Sequence, residues 1–192
     1  MLKTSLQITM VSPVFEDEPV SQNIINFSAF CLCRALAITH QSQLQLMGQH
    51  VQPFDQEQTW HSIIFLLQRL QKLVVLRTSE LLQALALIDT ISNSSTKFHI
   101  IPQNIQMILL VCILLAHKVN CDKPYSNGWW SRAFGLPVQV LNDTEILILN
   151  LLQFNVYVPS EMYDRYNVAI AMKLQEQEQE KDSIVLIEQQ GN

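Results

Sequence analysis

The stretch LLAHKVNCDKPYSNGWW, residues 114–130, decides the fold. It joins an apolar helix to a charged, aromatic turn. The apolar run ending in it, 105–116, is about 12 residues long, whereas a membrane span needs roughly 20. It therefore reads as a buried core helix. Lys118 puts an ammonium at the end of that run, and Asp122 and Asn127 organise the turn that follows.

Working outward toward the N-terminus, RTSELLQALALIDTISNSS opens with Thr78 or Ser79 as N-cap. It carries Leu81, Leu82, Leu85 and Ile88 on one face and dissolves into Ser and Asn at 92–95. Before it, FDQEQTWHSIIFLLQRLQKLVVL sets Asp55 ahead of Gln58 in the manner of a capping box. Ile63, Ile64, Leu67, Leu70 and Val74 then recur at helical spacing. A first helix is expected over 24–37, with Gln-rich polar sequence from there to Pro53. Residues 1–22, holding Pro13, Pro19 and an acidic cluster, read as flexible.

Toward the C-terminus, NGWWSRAFG forms a short helix closed by Gly135, a C-cap glycine. An amphipathic helix is expected over 138–154, stopped before Pro159. A last helix spans 161–180, and its KLQEQEQEK half is a solvated end. The tail SIVLIEQQGN, with four consecutive apolar residues, either docks on the domain or covers a partner; the sequence leaves both open.

Composition agrees with an all-α fold. The 192 residues are 48% hydrophobic and 15% charged, enough for one sizeable core, and only four are glycine. A formal net charge of −5 argues against duplex DNA as a partner, because nucleic-acid binders usually carry a basic stripe. Of the cysteines, Cys31 and Cys33 would point about 200° apart on a helix. His117 and Cys121 would share a face, but no second pair completes a zinc set. All four read as reduced packing thiols, and an intracellular location, nucleus or cytoplasm, is expected. The start of the chain has no long apolar core of a signal peptide. No Walker A, GxGxxG, HExxH, GxSxG or CxxC motif is present. A catalytic role is not expected, nor a cofactor: the product of such a chain is a surface.

The residues Leu115-Ala116-His117-Lys118, then Asp122-Lys123-Pro124-Tyr125-Ser126-Asn127, then Trp130, followed by Leu141, Glu145, Leu151, Leu152, Phe154 and Val156, resemble the cyclin box. The match is to the single-box cyclins of the Pho80-like group (P/U-type). It is convincing over about 100–160 and extends back to residue 56. The resemblance implies a five-helix box flanked by a helix at each end, with domain limits of 1–22 (flexible segment), 23–160 (box and preceding helix) and 161–192 (C-terminal helix and tail). A second box would need roughly another 90–100 residues, a domain's worth.

The resemblance also implies a function, that of a non-catalytic subunit binding and activating a cyclin-dependent-like Ser/Thr kinase. Lys118 and Glu145 correspond to the family's lysine and glutamate that face the kinase C-helix. Val119, Asp122 and Phe154 join that face, Val119 standing where many cyclins have phenylalanine. Phe154 has an alternative reading as a core aromatic. Asp89 matches the aspartate that in mitotic cyclins pairs with an arginine of the first box helix. Trp60 stands where that arginine would be, and Leu66 where the substrate-docking patch has tryptophan, so this part departs from the family pattern. Tyr125 and Trp130 are assigned to the structure of the box, Trp130 as a seal of the short helix on the core, while Trp129 is left open. No membrane or direct nucleic-acid partner is implied. The competing reading is a cyclin-fold scaffold or transcription-type adaptor that activates no kinase.

Overall fold

The computed structural model describes residues 18–47, 54–94, 98–173 and 175. Their architecture is all-α. The helices are α1 (Gln22–Met47), α2 (Gln56–Val74), α3 (Thr78–Ser94), α4 (Ile105–Asn120), α5 (Asn127–Phe134) and α6 (Val138–Leu151), followed by α7 over 160–173. Among the described residues, β-type pairing is limited to an isolated bridge between Pro19 and Arg77.

The apolar run becomes α4, and every residue from Ile108 to Ala116 is buried, as is His117. A helix apolar all round must be enclosed. Helices α2, α3 and α6 pack around α4, and α1 lies on α2. The spacing of Ile63, Leu67, Leu70 and Val74 turns one side of α2 into the core, with Ile64 at its edge. None of the helices among the described residues is long and apolar enough to cross a membrane.

Helix ends were partly legible. Asp55 is the N-cap of α2, its carboxylate accepting from the Gln58 N–H at 2.8 Å. Ser126 caps α5 through the Trp129 N–H, and Gly135 closes that helix in the left-handed conformation, φ 68°. Four expectations shift. Helix α1 runs on through the Gln-rich stretch to Met47 rather than ending at 37, because Gln, Leu and Met are themselves good helix formers. Helix α3 already includes Thr78; neither Thr78 nor Ser79 is its cap. Instead, the Arg77 N–H donates to Glu80 Oε2 at 3.1 Å, the side-chain half of a capping box.

Helix α6 stops at Leu151, not 154. Gln153 (φ 53°) and Phe154 (φ 58°) both turn left-handed, and the Phe154 N–H donates to the Leu149 carbonyl at 2.7 Å. Finally, residues 18–22 belong to the fold. The Val20 N–H donates to Leu76 O at 2.8 Å, the Thr78 N–H to Glu18 O at 3.0 Å, and Val20 is fully buried. The expected flexibility of 1–17, the end of the last helix beyond 175 and the docking of the apolar tail lie outside the described residues.

All four cysteines are free. Cys33 and Cys112 are buried as packing thiols, Cys121 is half-buried and Cys31 is exposed, so the packing role does not extend to Cys31. Among the described residues no group of three or more His, Cys, Asp or Glu side chains is placed to hold a metal.

Candidate partner-binding face

Helix α4 delivers Lys118 to the rim of the core, where the helix emerges from under α3 and α6. On α6, Leu141, Ile148 and Leu152 fall on one buried stripe, and Glu145, four residues after Leu141, sits at its margin. The two side chains meet. Lys118 Nζ donates to Glu145 Oε1 at 2.6 Å, and Asn127 Nδ2, from the first residue of α5, donates to Glu145 Oε2 at 2.6 Å. Both carboxylate oxygens are thus engaged. The Glu145 side chain is 12% exposed and that of Lys118 32%. Asn127 also donates to Asn142 Oδ1 at 2.7 Å, tying the turn to α6 at a second point.

Two exposed apolar side chains come from the same stretches, Val119 next to Lys118 and Phe154 just past the end of α6. Val119 is 55% exposed and Phe154 66%. The core reading of Phe154 therefore fails: the left-handed backbone at 153–154 turns its ring outward. A non-glycine residue in that region carries a conformational cost of order 1 kcal/mol. Here two such residues follow one another at the end of α6, where the Phe154 N–H closes on the Leu149 carbonyl. Asp122 is exposed in the turn after α4.

Beneath the turn lies an aromatic stack that the sequence disclosed only in part. Trp130 is fully buried, with Phe134 stacked against it at 5.6 Å between ring centroids. It seals α5 on the core, as expected. Tyr125 is sandwiched between His117 (5.3 Å) and Trp129 (4.1 Å) and stays 39% exposed. His117 is held from the other side by Glu80: its Nδ1 lies 2.8 Å from Glu80 Oε1, and both residues are buried. Glu80 thus bonds His117 with one oxygen and the Arg77 backbone with the other, linking the start of α3 to the end of α4 directly behind Lys118. This dyad was not anticipated. The two residues are far apart in sequence, and Glu80 reads there as an ordinary first-turn carboxylate.

Asp89 lies away from this face, near the end of α3. In place of the missing arginine it accepts a hydrogen bond from Tyr166 Oη at 3.0 Å, so its partner comes from α7. Burial raises the Tyr166 phenol above its ordinary range, and the Asp89 charge and hydrogen bond add to the rise. Trp60 and Leu66 are half-buried on α2, packed against the core.

The sequence model of the cyclin family matches residues 36–156. Similar proteins include G1/S-specific cyclin pas1 of Schizosaccharomyces pombe, 32% identical over 63 residues, which are 33% of this chain and 15% of that protein. Cyclin-U1-1 of Arabidopsis thaliana is 26% identical over 88 residues, 46% of this chain and 42% of the relative. PHO85 cyclin CLG1 of Saccharomyces cerevisiae is 33% identical over 54 residues, 28% of this chain and 12% of the relative. The matched stretches span less than half the length of these curated relatives. No solved structure matches the chain. With the box helices in order around α4 and a family match covering more than half of the sequence, the chain belongs to the cyclin family, a non-catalytic family, and its relatives place it in the Pho80-like branch.

Proposed function

We propose that this cyclin is the regulatory subunit of a cyclin-dependent-like Ser/Thr kinase of the PHO85 type, which it binds and activates through the end of α4, the margin of α6 and the turn after it. The observation that carries the proposal is the Lys118–Glu145–Asn127 cluster, together with two exposed apolar side chains, Val119 next to Lys118 in the chain and Phe154 just past the end of α6. The cluster offers a fixed charge pair with spare hydrogen-bonding capacity, suited to the polar backbone ends of a partner helix. The apolar side chains supply the area that such a helix covers. A stable complex of this kind buries on the order of 1,600 Å² in total.

Docking there presses the kinase C-helix inward, which completes the kinase's own Lys–Glu ion pair and helps order its activation loop. ATP and magnesium belong to the kinase; the cyclin contributes shape and charge. The name of the budding-yeast relative, a PHO85 cyclin, supports this partner class.

The test is affinity purification of the tagged protein from its own cells beside a Lys118→Ala, Glu145→Ala double variant. A kinase recovered with the wild type, active only in its presence, and lost with a still-folded variant is the expected result. Equal recovery by both forms would refute the assigned face, and recovery by neither would favour the scaffold reading.

A further inference from the structure

We propose that the hollow beside Val119 is a socket for an arginine side chain of the bound kinase, carried on the part of its N-lobe that flanks the C-helix; the proposal rests on the kinase-binding face described above. The hollow, about 420 Å³, lies between the start of α3, the end of α4 and residues 157–164. Its floor is fixed and neutral. Gln83 Nε2 donates to Val156 O at 3.1 Å, and Asn120 Nδ2 donates to Gln83 Oε1 at 2.6 Å and to Ala116 O at 2.8 Å. These amides hold one another and the turn after α6 in place.

The walls divide by chemistry. Val119 and Val158 are apolar, Tyr157 is 72% exposed, and Asp164 contributes an exposed carboxylate. Among the described lining residues the titratable groups are Asp164 and two tyrosines, and none is cationic. An aliphatic stem fits the valines, a planar guanidinium stacks on a tyrosine ring, and the same group pairs with a carboxylate. Arginine meets all three demands. Lysine meets the charge without the stacking plane, and an apolar side chain would bury the carboxylate without a partner. Tyrosine and arginine are also the residue types that most often dominate interface energy. The hollow adjoins the proposed face at Val119, which lines it and directly follows Lys118 in the chain.

The experiment uses the full chain and the purified kinase captured by it, with affinity measured by calorimetry at low and high salt. Wild type is compared with Asp164→Asn, Tyr157→Ala and the Lys118→Ala, Glu145→Ala variant. Asp164 and Tyr157 are exposed, so their variants should keep the wild-type thermal melt. The expected result is a loss of about tenfold in affinity for Asp164→Asn at low salt, with a flatter salt dependence. In addition, one N-lobe arginine of the kinase, changed to glutamine, should cost affinity against wild type and nothing further against Asp164→Asn. If Asp164→Asn and Tyr157→Ala bind within about twofold of wild type while the Lys118/Glu145 variant does not bind, the socket is refuted and the binding face stands. Coupling of Asp164 to a lysine, or to no kinase residue, also refutes it. A Lys118/Glu145 variant that binds like wild type overturns the face and the socket's location together.

Discussion

Glu145 is the residue on which the charged cluster turns, because it accepts from Lys118 and Asn127 while being mostly withdrawn from water. Removing Lys118 leaves that carboxylate with one partner, a loss of about 1–2 kcal/mol. Lys118→Ala should therefore lower the urea midpoint, and Lys118→Met combined with Glu145→Leu should recover most of it, since an apolar pair leaves no stranded charge. Equal midpoints for Lys118→Ala and wild type would show the pair to be solvated and energetically idle. The cysteines give a second residue-scale test. Burial pushes the Cys33 thiol up to about 11 from an ordinary value of 9.0. Above pH 9 the unfolded chain loses a proton that the folded chain keeps, so this contribution to stability is whole below about pH 9 and fades as pH rises toward 11. Wild type should lose stability relative to Cys33→Ala between about pH 8 and 10.5 in denaturant titrations, and parallel curves would count against it. The Lys118–Glu145 contact was legible because both residues stand in an ordered motif. The Asp89–Tyr166 contact was not: the sequence showed that a partner of Asp89 was missing, but nothing in spacing or periodicity pointed to a tyrosine on α7.

Helix ends differ in legibility according to whether a side chain or a backbone conformation makes them. Asp55, Ser126 and Gly135 announce themselves by residue type. The ends of α2 and α6 do not, because Val75, Gln153 and Phe154 take the left-handed conformation that sequence would assign to glycine. Val75 is the least favourable of the three, a β-branched residue at φ 53° and ψ 52° that is 58% exposed. It holds that conformation because the next residue, Leu76, is fully buried and bonded to Val20. Val75→Gly relieves a cost of about 1–2 kcal/mol and gives back about half of that to the freer unfolded chain. The net expectation is about 0.5–1 kcal/mol of added stability, a rise of about 1–4 °C in melting temperature for a chain of this size. A lower melting temperature would mean that the valine side chain contributes packing that its exposure does not suggest.

At the scale of the molecule, one apolar helix surrounded by the others explains why the fold was readable from residues 105–160: α4 has to be central, and the turn and α6 after it have to pack on it. The same centrality separates two aromatic residues, Trp130, expected as a seal on the core, and Phe154, expected on the partner-facing side with a core reading as its alternative. Trp130 and Phe154 both belong to the family pattern, yet one is fully buried and the other 66% exposed. Trp130→Ala should cost about 3–5 kcal/mol, the range for emptying a large buried aromatic site, and the variant should be poorly folded at 37 °C. Phe154→Ala removes a ring that the isolated cyclin does not use for packing, so its melt should stay within about 0.5 kcal/mol of wild type. If Phe154 is an anchor for the kinase, its loss appears only in the complex, as a weakening of about 30-fold or more. It should also appear as a smaller upward shift in melting temperature when kinase is added, because a partner that binds only the folded state stabilises it in proportion to the logarithm of its concentration over Kd. A Phe154→Ala variant that melts several degrees lower by itself would return this residue to the core. One that binds the kinase as tightly as wild type would leave the strained turn at 153–154 without the role that its exposure suggests.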